Sequence, residues 1–126
     1  MSADPRLIRI LAVDDHPAFR SGLAAFLATQ SDMTLVAEAT NGREAIRQFR
    51  HHLPDIVLMD LQMPEMNGLD AMVAIRNDFP DAKIIILTTY ESDVQGALKL
   101  GARAYLLKTQ LDKDLFGTIR AVQAGE

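Results

Sequence analysis

A chain of 126 residues, 48% hydrophobic and 24% charged, has room for one globular domain with one core and none for a second. Its formal charge of −4 argues against a nucleic-acid or membrane surface as its own partner, because such surfaces need a basic footprint. The absence of cysteine excludes disulfides, thiolate zinc sites and cysteine nucleophiles and suits a reducing compartment; residues 1–6 are polar with Pro5 where a secretory signal needs an apolar core, and no apolar run reaches membrane-spanning length, so a cytoplasmic domain is expected.

In chain order, Ile10-Leu11-Ala12-Val13 predicts a first strand, and Phe19, Leu23, Phe26 and Leu27, behind a Pro17 suited to a first helical turn, predict a helix after it. Met33 to Ala39 reads as a second strand, placed at a sheet edge by Glu38. After the turn signal Asn41-Gly42, the residues Ala45, Ile46, Phe49 and Leu53 form the apolar stripe of a second helix. Ile56-Val57-Leu58-Met59 is a third strand, followed by the stripe Leu69, Met72, Val73 and Ile75, which Phe79-Pro80 ends. Ile84-Ile85-Ile86-Leu87 is a fourth strand, and Val94, Ala97 and Leu98 give a short helix stopped by Gly101. Ala104-Tyr105-Leu106-Leu107 is a fifth strand, and Leu111, Leu115, Ile119 and Val122 give a last helix closed by Gly125.

Four of these strand runs do not alternate between polar and apolar residues, as expected of strands buried on both faces. Five β-α units predict an α/β fold, a doubly wound five-stranded parallel sheet with right-handed crossovers and no internal domain boundary. Each inner run is followed by polar residues: Asp14-Asp15, Asp60, Thr88-Thr89 and Lys108. In a parallel sheet these carboxyl ends share one edge, where such sheets bind ligands at the point of strand-order reversal. With the flavodoxin-like order 2-1-3-4-5, the Asp14-Asp15 strand neighbours that of Asp60, about 5 Å away, and Lys108 comes from about 10 Å on the other side. Three acids so close repel, and one lysine leaves a formal charge of two, which matches a divalent cation. Magnesium accepts one or two carboxylates, waters and a phosphate oxygen, whereas no Asp-x-Asp-x-Asp-Gly loop supports calcium. Such a site can clamp a phosphoryl group with Asp60 as nucleophile.

At these residues the sequence resembles a response-regulator receiver domain, over essentially the whole of residues 1–126. The resemblance is carried by Val13-Asp14-Asp15, by Asp60 with Met63-Pro64 and Gly68, by Leu87-Thr88, and by Gly101-Ala102 leading through Tyr105 to Lys108. Asp14-Asp15-His16-Pro17, Leu87-Thr88-Thr89-Tyr90 and Gln123-Ala124-Gly125-Glu126 resemble the NarL/FixJ-type (LuxR-type) subgroup. The resemblance implies that Asp60 takes a phosphoryl group from a phosphohistidine on a sensor histidine kinase. It implies that Asp15 binds Mg²⁺ directly, Asp14 chiefly through water and Gln62 through its backbone carbonyl, and that Lys108 contacts the carboxylate and then the phosphate. Thr88 and Tyr105 would switch on phosphorylation and alter partner or homodimer contacts, so the domain is a signalling switch that catalyses only its own phosphorylation and dephosphorylation. DNA would be reached only through a C-terminal helix-turn-helix domain absent from this chain. Thr109 stands where receivers commonly carry proline, and Thr89 where many carry a small residue.

Read singly, these residues are ordinary. Asp14-Asp15 before Pro17 suits a helix cap, Asp60 a turn, Lys108 a solvated surface, Thr88 a strand end and Tyr105 packing. Only the set raises them. His16 is read as helping to start the first helix, His51 and His52 as suiting the negative end of the second, and Arg43, Arg47 and Arg50 as a solvated stripe. Three other functions compete. A haloacid-dehalogenase-like phosphatase would need Asp-x-Asp after the first strand, and flavin binding would need a hydroxyl-rich first loop. The third is a stand-alone or phosphorylation-independent receiver-like interaction module.

Overall fold

The computed structural model describes residues 7–63 and 66–125; the readings placed on residues 1–6, Pro64 and Glu126 lie outside the described residues. The elements follow the expected rhythm: β1 (Ile8–Val13), α1 (Pro17–Leu27), β2 (Met33–Ala39), α2 (Gly42–His52), β3 (Ile56–Asp60), α3 (Gly68–Asp78), β4 (Ile84–Thr88), α4 (Val94–Lys99), β5 (Ala104–Leu107) and α5 (Leu111–Gln123). Short 3-10 turns, Glu91–Asp93 and Lys108–Gln110, lead into α4 and α5. The sheet is parallel throughout, in the order β2-β1-β3-β4-β5, with β2 at one edge.

The continuous apolar runs of β1, β3 and β4 follow from helices lying on both faces of this sheet, whereas Ala104-Tyr105-Leu106-Leu107, expected to be an inner strand buried on both faces, forms the other edge and is mostly half-buried. Alternate residues of one strand enter opposite layers. Leu11, Val57, Met59 and Ile84 pack with Phe49, Met72 and Ile75 of α2 and α3. Ile10, Ile56, Leu58 and Ile85 pack with Leu23 and Leu27 of α1 and with Leu115 and Ile119 of α5. Each such fully buried aliphatic side chain contributes about 1.5–3 kcal/mol relative to exposure.

Local chemistry sets the helix starts. The Asn41 side chain accepts the Glu44 N–H at 2.9 Å, while Glu44 Oε1 accepts the Thr40 N–H at 2.6 Å, so two otherwise orphaned donors are satisfied. Asn67 does the same for the Asp70 N–H at 2.9 Å. His16 occupies the N-cap of α1, but its side chain makes no capping bond. Three residues assigned to apolar stripes lie at the surface: Val73, Leu98 and Leu53, the last 55% exposed. Leu53 is the C-cap of α2 and turns left-handed at φ 46°, which swings it out of the stripe. Gly68 is demanded by space: a Cβ there would stand 2.3 Å from the Asp60 carbonyl oxygen and 2.9 Å from Leu61 Cα. That close approach returns the chain against the end of β3 and seats α3 beside Asp60.

Candidate functional site

β1 delivers its acids to the sheet edge because its ladder runs one residue beyond the strand, the Asp14 N–H donating to the Ala39 carbonyl at 3.0 Å. Asp14, Asp60 and Thr88 are the buried polar residues among those described. Asp14 Oδ1 accepts the His16 backbone N–H at 2.8 Å, and its Oδ2 accepts from Lys108 Nζ at 2.6 Å. Lys108 spans the width of β4 and β3 to do this, with Nζ 4.4 Å from the centroid of the Phe19 ring. The ammonium lies 3.5 Å from Asp60 Oδ1, which also accepts the Gln62 N–H at 3.2 Å.

These partners push the two buried acids apart. Burial by itself raises the Asp14 pKa, but the hydrogen bonds from Lys108 and the His16 N–H, with the lysine's charge, hold the carboxyl below its ordinary value. At Asp60 burial dominates and Asp14 and Asp15 add repulsion; Lys108 and the Gln62 N–H only partly offset this, and its pKa is raised. Asp60 Oδ2 is buried with no hydrogen-bond partner among the described residues, and Asp15 Oδ1 makes no hydrogen bond although the His16 ring nitrogen stands 3.1 Å from it. One donor atom from each of Asp14, Asp15, His16 and Asp60 falls within 4.8 Å of the others. Hard oxygen donors, two of them unsatisfied, fit a magnesium ion, which takes carboxylates and keeps waters in its remaining positions.

The expected switch residues sit on the next two strands, engaged with one loop. The Thr88 hydroxyl donates to the Tyr90 carbonyl and accepts the Tyr90 N–H, both at 3.1 Å. Tyr105 donates its phenolic O–H to Glu91 Oε2 at 2.9 Å, three residues further along that loop than Thr88. Thr89 is exposed. No described residue follows a cis peptide bond, so Thr109 joins Lys108 in the trans form.

Three contacts were not legible beforehand. The His16 ring, read only as a helix starter, stands against both neighbouring acids, its Nδ1 3.0 Å from Asp14 Oδ1 and 3.1 Å from Asp15 Oδ1. Arg20 donates to the Asp14 carbonyl at 2.6 Å and to Glu38 Oε1 at 3.1 Å, bracing the end of β1 against β2. Phe19, read as core, carries the Lys108 ammonium. The adjacency of His16 to the acid pair, and the helical turn separating Phe19 and Arg20 from it, were the only available signs. His51 and His52 lie in the last turn of α2 as expected, and Arg47 and Arg50 are exposed with ion pairs to Glu44 and Asp78.

Comparison with known proteins agrees with this arrangement. The family model of the response regulator receiver domain matches residues 10–120. The response regulator protein VraR of Staphylococcus aureus is 40% identical over 121 residues, a match covering 94% of this chain and 58% of that protein, so the chain spans less than two thirds of its curated relatives. A two-component response regulator of the LuxR family from Aurantimonas sp. SI85-9A1 superposes with a TM-score of 0.91 at 35% identity, over 95% of this chain and 87% of that one. The signal receiver domain of the putative response regulator NarL from Mycobacterium tuberculosis gives a TM-score of 0.90 at 29% identity, over 97% and 100% of the two chains. Fold, acid cluster and relatives agree: the chain belongs to the response regulator receiver domains of two-component systems, in their NarL/LuxR-type branch.

Proposed function

We propose that this receiver is phosphorylated on Asp60, with Asp14, Asp15, Asp60 and the Gln62 carbonyl holding Mg²⁺. The observation that carries the reading is the Asp60 carboxylate, which is 2% exposed and has one oxygen unpaired among the described residues. Such a carboxylate, desolvated and faced by a lysine, is poised for nucleophilic attack. An Asp60 oxygen forms a bond to phosphorus as the P–N bond of a sensor kinase's phosphohistidine breaks, and the released imidazole nitrogen takes a proton from solvent. A bound magnesium ion supplies charge stabilisation for the phosphoryl oxygens. Lys108, 3.5 Å from Asp60 Oδ1, neutralises part of the added negative charge.

The output follows from Thr88 and Tyr105. A phosphoryl group on Asp60 offers its oxygens to the Thr88 hydroxyl, which must then leave the Tyr90 backbone, and the loop that also holds Glu91 shifts with it. The populations of two surface arrangements change, and with them homodimer or partner contacts. The curated relatives extend well beyond the matched region, and we assign transcriptional control to a C-terminal helix-turn-helix DNA-binding domain of the full-length protein, working in the cytoplasm. Among the described residues no helix is long and apolar enough to cross a membrane. Intact-mass measurement after incubation with Mg²⁺ and acetyl phosphate tests the core of the proposal. The wild type should gain one phosphoryl group and Asp60→Asn none; equal gain by both places the phosphate elsewhere.

A further inference from the structure

The chain has six methionines and no cysteine, so its oxidisable sulfur is all thioether. Met33, Met59 and Met72 are buried in the two apolar layers. Met63 and Met66 are half-buried, and both belong to the connection between β3 and α3 that begins after Asp60. Met63 lines an open cavity of about 350 Å³ with Leu61, Gln62, Asn67 and Leu69, and a peroxide is small enough to enter it. Met66 fastens the same connection to α2. Its carbonyl accepts the Gly42 N–H at 3.1 Å, and a Cβ at Gly42 would stand 2.6 Å from Met66 Cγ. Both side chains pack on the apolar layer that α2 and α3 form with the sheet. Neither sulfur takes part in phosphoryl transfer, yet the two reachable thioethers among the described residues stand on the connection that carries Gln62 and leads from Asp60.

We propose that Met63 and Met66 are a reversible oxidation site through which peroxides lower the phosphorylation of Asp60. The inference rests on reading Asp60 as the phosphoacceptor and adds a chemical input to it. A thioether lone pair attacks one oxygen of hydrogen peroxide and the O–O bond breaks. That oxygen stays on sulfur as a sulfoxide, its proton passes to the departing hydroxide, and water leaves; sulfur is oxidised by two electrons and the peroxide reduced by two. A thiol-dependent sulfoxide reductase reverses the change, supplying two electrons and two protons and releasing the oxygen as water. Oxidation turns a flexible apolar side chain into a polar one, which disrupts the packing it had made. An apolar layer offers the new S–O group no hydrogen-bond donor. On the Gly42 side of Met66 there is no room for a further atom. The oxidised side chains turn out to water, the hydrogen bond between Gly42 and Met66 opens, and the loosened connection displaces Asp60 and Gln62 from the geometry that phosphoryl transfer needs.

Graded treatment of the 126-residue chain with hydrogen peroxide tests this, beside the double variant Met63→Leu/Met66→Leu, in which leucine keeps the bulk and apolar character without the sulfur. Peptide mass mapping reads where oxygen is gained, and hydrogen exchange of the Gly42 amide reads opening of its bond to Met66. Intact mass after Mg²⁺ and acetyl phosphate reads phosphorylation. In the wild type, oxygen is expected to enter Met63 and Met66 before Met33, Met59 and Met72, and the Gly42 amide to exchange faster. The phosphorylation rate should fall by about tenfold or more, the scale for a reacting group displaced by a fraction of an ångström to one ångström. A methionine sulfoxide reductase should restore both readouts. The double variant should lose the sensitivity to peroxide. The inference is overturned if the buried methionines take up oxygen at the same dose, if Gly42 exchange in the oxidised wild type is unchanged, or if the double variant stays as sensitive as the wild type. Failure of the untreated wild type to gain a phosphoryl group defeats the reading of Asp60, while the mapping and the Gly42 exchange still decide whether Met63 and Met66 are the oxidation site.

Discussion

Lys108 Nζ stands 2.6 Å from Asp14 Oδ2 and 3.5 Å from Asp60 Oδ1, so this ammonium bonds the acid after β1 and only faces the acid that ends β3. The difference separates the two carboxyls electrostatically. Asp14 is held ionised as a structural anion, whereas Asp60 is left partly uncompensated and open to a cation or a phosphoryl group.

Lys108→Ala should therefore destabilise the protein through Asp14. Removing one partner of a buried pair costs about 3 kcal/mol, because the remaining charge is uncompensated. The folded Asp14 pKa is lowered, so its stabilising contribution is complete above its ordinary value and lost only as pH falls through the lowered one. Without Lys108, burial drives that pKa upward, and protonation in acid relieves the variant. The stability gap between wild type and variant is expected to be wide at about pH 7 and narrower at about pH 3, read by urea denaturation; equal gaps would contradict the pairing.

Asp60 has the opposite sign. Burial chiefly raises its folded pKa, so its contribution is present at low pH and is lost as pH rises through the raised value. At neutral pH the ionised carboxylate is a liability in the metal-free chain. Asp60→Asn is expected to raise the melting temperature in EDTA by a few degrees near pH 7, about 1 kcal/mol corresponding to roughly 4 °C in a domain of this size. The gain should shrink below about pH 4, where the wild-type acid is also neutral. Added Mg²⁺ should stabilise the wild type more than the variant. An Asp60→Asn protein no more stable than wild type at pH 7 defeats this account.

The legible and the illegible parts of this molecule differ in physical kind. Strands buried on both faces leave unbroken apolar runs, so β1, β3 and β4 could be read directly, and the polar residues after them had to share the carboxyl edge. Glu38 marked β2 as an edge strand for the same reason. Strand spacing placed Lys108 within reach of both acids but could not choose between them, because the choice lies in the path of the side chain over the Phe19 ring. His16 was assigned to helix initiation because capping logic looks forward along the helix. Its N–H instead points back to Asp14 Oδ1, and its ring lies against Asp14 and Asp15. Val73 and Leu98 fit a helical period, yet periodicity does not reveal where a stripe leaves the core.

Gly68 offers a test of how tightly the site depends on the turn beside it. A Cβ at this position would meet the Asp60 carbonyl oxygen and Leu61 Cα, and backbone atoms cannot step aside as a flexible side chain can. Gly68→Ala is expected to cost about 1–3 kcal/mol in chemical denaturation and to weaken Mg²⁺ binding, since the connection carrying Asp60 and Gln62 must move. Gly117, within α5, is the contrasting position, with nothing within 4 Å of an added Cβ. Gly117→Ala should stabilise by up to about 1 kcal/mol through helix propensity. Similar stabilities for the two variants would show that the predicted contact at Gly68 is absent.

Tyr105 and Glu91 provide a spectroscopic reporter of the switch region. Their 2.9 Å hydrogen bond, and then the carboxylate's charge, raise the Tyr105 pKa above its ordinary 10.0, because both favour the neutral phenol. The chain has two tyrosines, so Tyr90→Phe leaves Tyr105 as the single phenol to titrate. In that background the alkaline absorbance titration should have its midpoint above the ordinary value, and Glu91→Gln should bring it down. Glu91 is exposed and its replacement leaves the half-buried Tyr105 ring packed against the core, so the thermal midpoint should barely move, which distinguishes loss of this bond from general loosening. If phosphorylation draws Thr88 off the Tyr90 backbone, the displaced loop carries Glu91 away from the phenol. Loading Asp60 with a stable phosphoryl mimic in the presence of Mg²⁺ should then lower the Tyr105 midpoint as Glu91→Gln does, and an unchanged midpoint would uncouple Tyr105 from Thr88.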